Sequence, residues 1–170
     1  DTASITGIAW DHHEVFNTEE EYNGSFVQFL RQSRSVVIYA DDSSRIGWDN
    51  SSETKIISKN DDTLNRIELN GEHFRQDAWV AINTVKKYSD ASTEKLIEII
   101  NKYPGSSRRM EKLAPNLYTD YAHTPEKILG CISTAKEMLI DGQKLVLVYE
   151  PLTNRRQHYI RNQYVNLFDG

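Results

Sequence analysis

Apolar and polar positions alternate along this chain in blocks that read as strand, helix, strand. The clearest block is Leu117-Tyr-Thr-Asp-Tyr-Ala-His-Thr-Pro-Glu-Lys-Ile128. A short strand ends there in polar groups. Thr124 then stands at an N-cap and Pro125 at the first helical position, and Ile128, Leu129, Ile132, Ala135 and Leu139 follow at helical spacing. The spacing predicts a helix over 125–139, stopped by Asp141-Gly142. The apolar, β-rich run Leu145-Val-Leu-Val-Tyr149 is then expected to be a buried strand, parallel to 117–120 through a right-handed crossover. In such sheets ligands bind beyond the carboxyl ends of the strands, where Asp120, Tyr121, His123 and Glu150 fall.

The amino-terminal part repeats the pattern. Residues 4–10 read as a strand and Trp10-Asp-His-His-Glu14 as a polar turn. Thr18 and Glu21 have capping-box spacing before a helix with the stripe Tyr22, Phe26, Phe29 and Leu30. Ser35 to Ala40 is a second buried strand, closed by Asp41-Asp42. Between Ser43 and Glu72 the composition turns polar, and runs at 54–58 and 64–69 around Lys59-Asn-Asp-Asp62 suggest a hairpin. Phe74, Ala78, Ala81, Ile82 and Val85 mark the next helix. Tyr88 to Ser92 is the expected domain boundary, Thr93 to Lys102 a further helix ending before Pro104-Gly105, and Tyr159, Ile160, Tyr164 and Leu167 a last one.

Composition narrows the function. With 170 residues, 38% of them hydrophobic, the chain can bury a real core, and a net charge of −5 argues against a duplex nucleic-acid binder. No run is long and apolar enough to span a membrane. The single cysteine, Cys131, reads as a packed thiol and fits a reducing cytoplasm. The opening Asp-Thr-Ala-Ser-Ile-Thr-Gly-Ile has no initiating Met and suggests a chain cut from a longer protein.

Of the candidate chemical groups, His12 and His13 are adjacent, so in an extended segment they point opposite ways and do not share one ion. His123 lies close to both Asp120 and a helix N-terminus, where a capping role competes with a chemical one. Arg108-Arg109 can clamp a phosphate or stand in solvent, and Arg155-Arg156 has weaker support. No Gly-x-x-x-x-Gly-Lys-Ser/Thr loop is present, nor a Gly-x-Gly-x-x-Gly turn, which disfavours a nicotinamide dehydrogenase.

Several stretches together resemble the Mur ligases, the ATP-dependent amide-forming enzymes of peptidoglycan synthesis and recycling. Ile5-Thr-Gly-Ile-Ala-Trp-Asp-His12 with Phe16 resembles the strand-to-loop segment late in the central domain, Ser35 to Asp42 its next strand, and Gly71-Glu-His73 the start of its closing helix. Gly105-Ser-Ser-Arg-Arg-Met-Glu111 resembles the pattern Gly-x-x-Arg-Arg-x-Glu, and Asp120-Tyr-Ala-His-Thr-Pro125 the Asp-Tyr-Ala-His-x-Pro box. The wording is most similar to the branch acting on alanine or on a recycled tripeptide.

The resemblance implies an α/β fold, with the tail of a P-loop-type ATPase domain at 1–89 and an incomplete Rossmann-like domain with parallel strands at 90–170. It implies His12 as a magnesium ligand, Arg109 turned towards the ATP phosphates, Asp120 on the nucleotide ribose, and Tyr121 and His123 beside the nucleotide. ATP and Mg2+ are the implied cofactors, and UDP-N-acetylmuramate with an amino acid or peptide the implied substrates. A phosphorylated carboxylate would be attacked by the amine, in a longer protein, with this piece alone inactive. Phe26 stands where several members carry a lysine that becomes carbamylated. Phe74 and Asp77 replace the usual asparagines, and Pro151 to Arg155 departs from Pro-His-x-Tyr-x-Arg. Those departures motivate the rival expectation, a non-catalytic module on the same scaffold.

Overall fold

The computed structural model describes residues 1–50, 52–151, 158 and 160–168. Its centre is β2 (Ser35–Tyr39), every residue of which is buried. β1 (Thr2–Ser4) lies parallel to it on one side and β3 (Glu53–Ile57) on the other, so the α/β expectation holds with a three-stranded parallel sheet. Alternate β2 side chains feed two separate cores, as a strand covered on both faces requires. Val36 and Ile38 meet Ala3, Ile5 and Leu30 on one face; Val37 and Tyr39 meet Ile57, Trp79, Val80 and Ile82 on the other. Each fully buried side chain of this size contributes about 1.5–3 kcal/mol.

Helix α1 (Glu19–Arg31) connects β1 to β2, and its sequence signals act as read. Thr18 Oγ1 accepts from the Glu21 amide at 3.2 Å, while Glu21 reaches back to the Asn17 amide at 2.9 Å. The first strand is shorter than expected: residues 5–10 leave the sheet as a loop after the Ile5 amide bonds to the Val37 carbonyl. Asp41 and Asp42 do not close β2; they open α2 (Ala40–Arg45), where acids suit the positive end of the helix. Asp42 accepts from the Ile8 amide and Arg45 donates to its carbonyl, tying α2 to the loop after β1.

The hairpin expected around Lys59 to Asp62 does not form. Its first run is β3, paired with β2, while Asp61 accepts from the Thr63 amide at 2.9 Å and starts a 3₁₀ turn over Asp62–Arg66. That turn delivers Leu64 and Ile67 to the core. Helix α3 (Glu72–Val85) buries Ala78, Trp79, Val80, Ile82 and Asn83, leaving Ala81 and Val85 exposed. Helix α4 (Thr93–Ile100), capped by Ser92, follows the expected boundary but packs Leu96 and Ile97 onto the same core.

The carboxyl-terminal part departs most from expectation. Residues 117–119 form β5 (Leu117–Thr119), which pairs antiparallel with β4 (Glu111–Ala114) across a turn with Asn116 at φ 60°. The run 145–149 is not a strand. Val146 and Val148 are 82% and 91% exposed, and Tyr149 packs on Tyr164 and Phe168 instead. A tight turn costs less chain entropy than a crossover of some 25 residues, so β5 takes its local partner. Helix α5 (Pro125–Glu137) starts at Pro125 as expected, yet the Thr124 hydroxyl makes no capping bond and is buried without a hydrogen-bond partner among the described residues. Of the expected last helix, His158 and Ile160 are helical among the described residues, and a 3₁₀ turn (Arg161–Tyr164) follows in place of its continuation to Leu167. Arg155-Arg156, Tyr159 and the departure at 152–155 lie outside the described residues.

Candidate functional site

The turn after β5 is built by Asp120. One carboxylate oxygen accepts from the Ala122 amide at 2.7 Å and the other from the Met110 amide at 2.9 Å, so the turn and the 106–110 loop are fixed to each other. The Tyr121 amide completes the seam by donating to the Arg108 carbonyl at 2.9 Å. Arg108 and Met110 both hold positive φ, and the Arg108 guanidinium sits over the Tyr121 ring. Met110 sulfur touches the Cys131 thiol at 3.5 Å, and burial pushes that thiol up to about 11; it is a packed group, as expected.

Arg109 is exposed on that loop, and its charge is felt on α3. Burial lowers the His73 pKa, against the pull of the Asp120 carboxylate and with the push of Arg109. Desolvation raises Asp77 to about 6, opposed by a bond from Thr6 and by Arg109. The start of α3, the 106–110 loop and the Asp120 turn therefore share one electrostatic neighbourhood.

A second junction holds the loop after β1. Asp11 receives Lys127 Nζ at 2.6 Å and lies 3.4 Å from His123 Nε2. The other His123 nitrogen, Nδ1, is 2.9 Å from the Tyr121 carbonyl, an acceptor, so Nδ1 carries a proton. Tyr164 donates to the His123 carbonyl at 2.7 Å. His12, next to Asp11, has φ 56° and a half-exposed imidazole 3.3 Å from Glu14 Oε1. His13 is turned the other way, 6% exposed and against Trp10 with ring centres 4.4 Å apart. The segment is not the extended one that the opposite-facing expectation assumed, since His12 has φ 56°; His12 is exposed, whereas His13 is buried and not on a surface turn.

Desolvation raises the Asp11 pKa, yet Lys127, the His12 amide and His123 together hold it down at about 2 against an ordinary 3.8. A depressed carboxylate stabilises the fold above the unfolded pKa, and that contribution is lost as pH falls through the folded value. Acid titration should remove about 1–2 kcal/mol between pH 4 and pH 2 that Asp11→Asn lacks. Parallel stability curves of the two proteins over that window would exclude the ion pair.

Arg109, Asp120, Tyr121 and His123 thus lie on one stitched unit, with His12 across the Asp11 junction. Sequence reading missed Asp11, His73 and Lys127 as its partners. His73 and Asp11 stood inside the stretches Gly71-Glu-His73 and Ile5 to His12, whose wording carried a signal without singling them out. Among the described residues no group of three or more His, Cys, Asp or Glu side chains is arranged to hold a metal. His12 and Glu14 supply two donors, which fits an ion shared with phosphate oxygens rather than one held by protein alone.

No family model matches the chain. It is 27% identical over 175 residues to the UDP-N-acetylmuramate–L-alanine ligase of Thermotoga neapolitana, across 86% of this chain and 38% of that protein. The enzyme of the same name from Fusobacterium nucleatum is 25% identical, across 98% of this chain and 45% of that protein. By sequence the chain is similar to these UDP-N-acetylmuramate–L-alanine ligases. The Caldicellulosiruptor bescii ligase of the same name is 30% identical over 118 residues, 66% of this chain. The chain spans less than half the length of these Mur ligases.

Proposed function

We propose that this chain is part of an ATP-dependent Mur ligase that joins an amino acid, L-alanine being the first choice, to the carboxylate of UDP-N-acetylmuramate. The observation that supports this is the meeting of four separate stretches. The loop after β1, the start of α3, the 106–110 loop and the Asp120-to-Pro125 box come together through Asp11, Lys127, Asp120 and Met110. Relatives bearing the alanine-ligase name favour alanine over a tripeptide.

In this reading Asp120 accepts the ribose hydroxyls with the lone pairs its two backbone bonds leave free. Arg109, exposed and without a salt bridge among the described residues, offers its guanidinium to phosphate oxygens. Tyr121 and His123 wall the nucleotide. His12 with Glu14 would hold a magnesium ion shared with phosphate, and such an ion neutralises charge on the transferring group. Positioning and electrostatics, not a protein nucleophile, then do the catalysis.

We assign residues 1–89 to the tail of the central domain and 90–170 to the next domain, with α4 packed on the first as the joint. Peptidoglycan precursor synthesis in the cytoplasm is the setting, and no helix among the described residues is long and apolar enough to cross a membrane. The coding sequence upstream of Asp1 tests the reading. An in-frame Gly-x-x-x-x-Gly-Lys-Ser/Thr motif, with phosphate release from ATP that needs both UDP-N-acetylmuramate and L-alanine, is expected of the full gene product. A product lacking the motif and the activity would be the non-catalytic module that Phe74 and Asp77 suggest.

A further inference from the structure

Helix α5 meets the first part of the chain along a single line. Lys127, Gly130, Thr134 and Glu137 follow one another at steps of three, four and three residues, which puts them on one helix face. At the start of the line Lys127 Nζ reaches Asp11 at 2.6 Å. Gly130 lies against the His73 ring, where a Cβ would stand 3.4 Å from Nδ1. Thr134 packs on Gly71, the N-cap of α3, at φ 92°; a Cβ on Gly71 would overlap the Thr134 hydroxyl. At the end Glu137 accepts from the Gly71 amide at 3.2 Å and from both Arg75 terminal nitrogens, at 2.7 and 3.3 Å.

The line has ion pairs at its ends and small residues in its middle. No large apolar side chain among the four fixes the register, and the side chains of Lys127 and Glu137 are 38% and 39% exposed. A partly exposed pair such as Arg75–Glu137 adds little stability by itself. Direction is another matter: a two-pronged arginine–carboxylate contact and a carboxylate on a backbone amide both fix orientation. The N-terminal end of α5 continues directly from the Asp120–His123 turn, the first turn of α3 carries His73, and Asp11 precedes His12. Sliding α5 by one turn, about 5.4 Å, would separate all three.

We infer that Lys127 and Glu137 are positioning residues, which through Asp11 and Arg75 hold α5 in one register on the loop after β1 and on α3, and so keep the Asp120 turn facing His73 and beside His12. The inference rests on the nucleotide reading above, and its test separates the two. Hydrogen exchange at the Gly71 amide reports the register without any ligand. Glu137→Ala speeds that exchange by about tenfold or more, and Glu137→Gln, which keeps the acceptor, restores most of the protection. Amides of Val36 to Ile38 in the central strand remain protected in both variants and show that the fold is intact. In the full gene product Glu137→Ala and Lys127→Ala each raise the Kd for ATP by about tenfold, and Glu137→Gln stays within about threefold of wild type. Unchanged Gly71 exchange in Glu137→Ala overturns the clamp. Faster exchange with unchanged ATP affinity, while Asp120→Ala still weakens ATP, overturns the positioning role alone. A wild-type product that takes up no ATP overturns the nucleotide reading, whatever the exchange shows of the clamp.

Discussion

Asp120→Ala is expected to weaken ATP binding by the full gene product by about 1–3 kcal/mol, the range for hydrogen bonds to a charged group. Two losses combine in that figure. The ribose would lose its acceptor, and the amides of Met110 and Ala122, now held at 2.9 and 2.7 Å, would lose theirs. Freed from Asp120, the 106–110 loop no longer keeps Arg109 beside α3, so phosphate contacts weaken too. Asp120→Asn separates the parts: it keeps one acceptor for a backbone amide and removes the negative charge. Calorimetry with ATP and thermal unfolding, run on both variants, measure the two losses independently. Lower thermal stability with an unchanged Kd would confine Asp120 to holding the loop.

How far the sequence foretold this molecule depends on how local each signal is. The β1–α1–β2 unit was legible because Thr18 and Glu21 act within one turn and β2 is apolar at every central position. Pro125 announced α5 for the same reason. The run 145–149 misled because composition states a β preference but names no partner, and β5 found its partner in β4, across the two residues Pro115 and Asn116. β4, with its charged Glu111 and Lys112, gave no apolar pattern to read, although Pro115-Asn116 was a usable turn signal. At the site, the wording of the boxes picked out Asp120, His123 and Arg109. It was silent on Asp11 with Lys127 and Arg75 with Glu137, ion pairs 116 and 62 residues apart in sequence. Contacts of that range leave no periodicity behind.

Changing His12 and His13 one at a time should give two different failures, not one failure and one silent change. His13 is buried against Trp10, so His13→Ala opens a cavity beside an indole and should cost about 1–3 kcal/mol of stability. The activity of each folded molecule should survive. His12 is half exposed, and only its imidazole reaches Glu14, at 3.3 Å. Its backbone, however, sits at φ 56°, and its carbonyl accepts from the Val15 and Phe16 amides. Alanine there would add backbone strain to the loss of the ring, whereas asparagine tolerates the left-handed region. His12→Asn is therefore the informative change: stability near wild type, with most of the amine-dependent phosphate release lost and the magnesium requirement moved upwards. Thermal unfolding and phosphate release across a magnesium titration read both variants. Should His12→Asn keep full release at low magnesium, His12 is only the corner of a turn that presents Asp11 to Lys127.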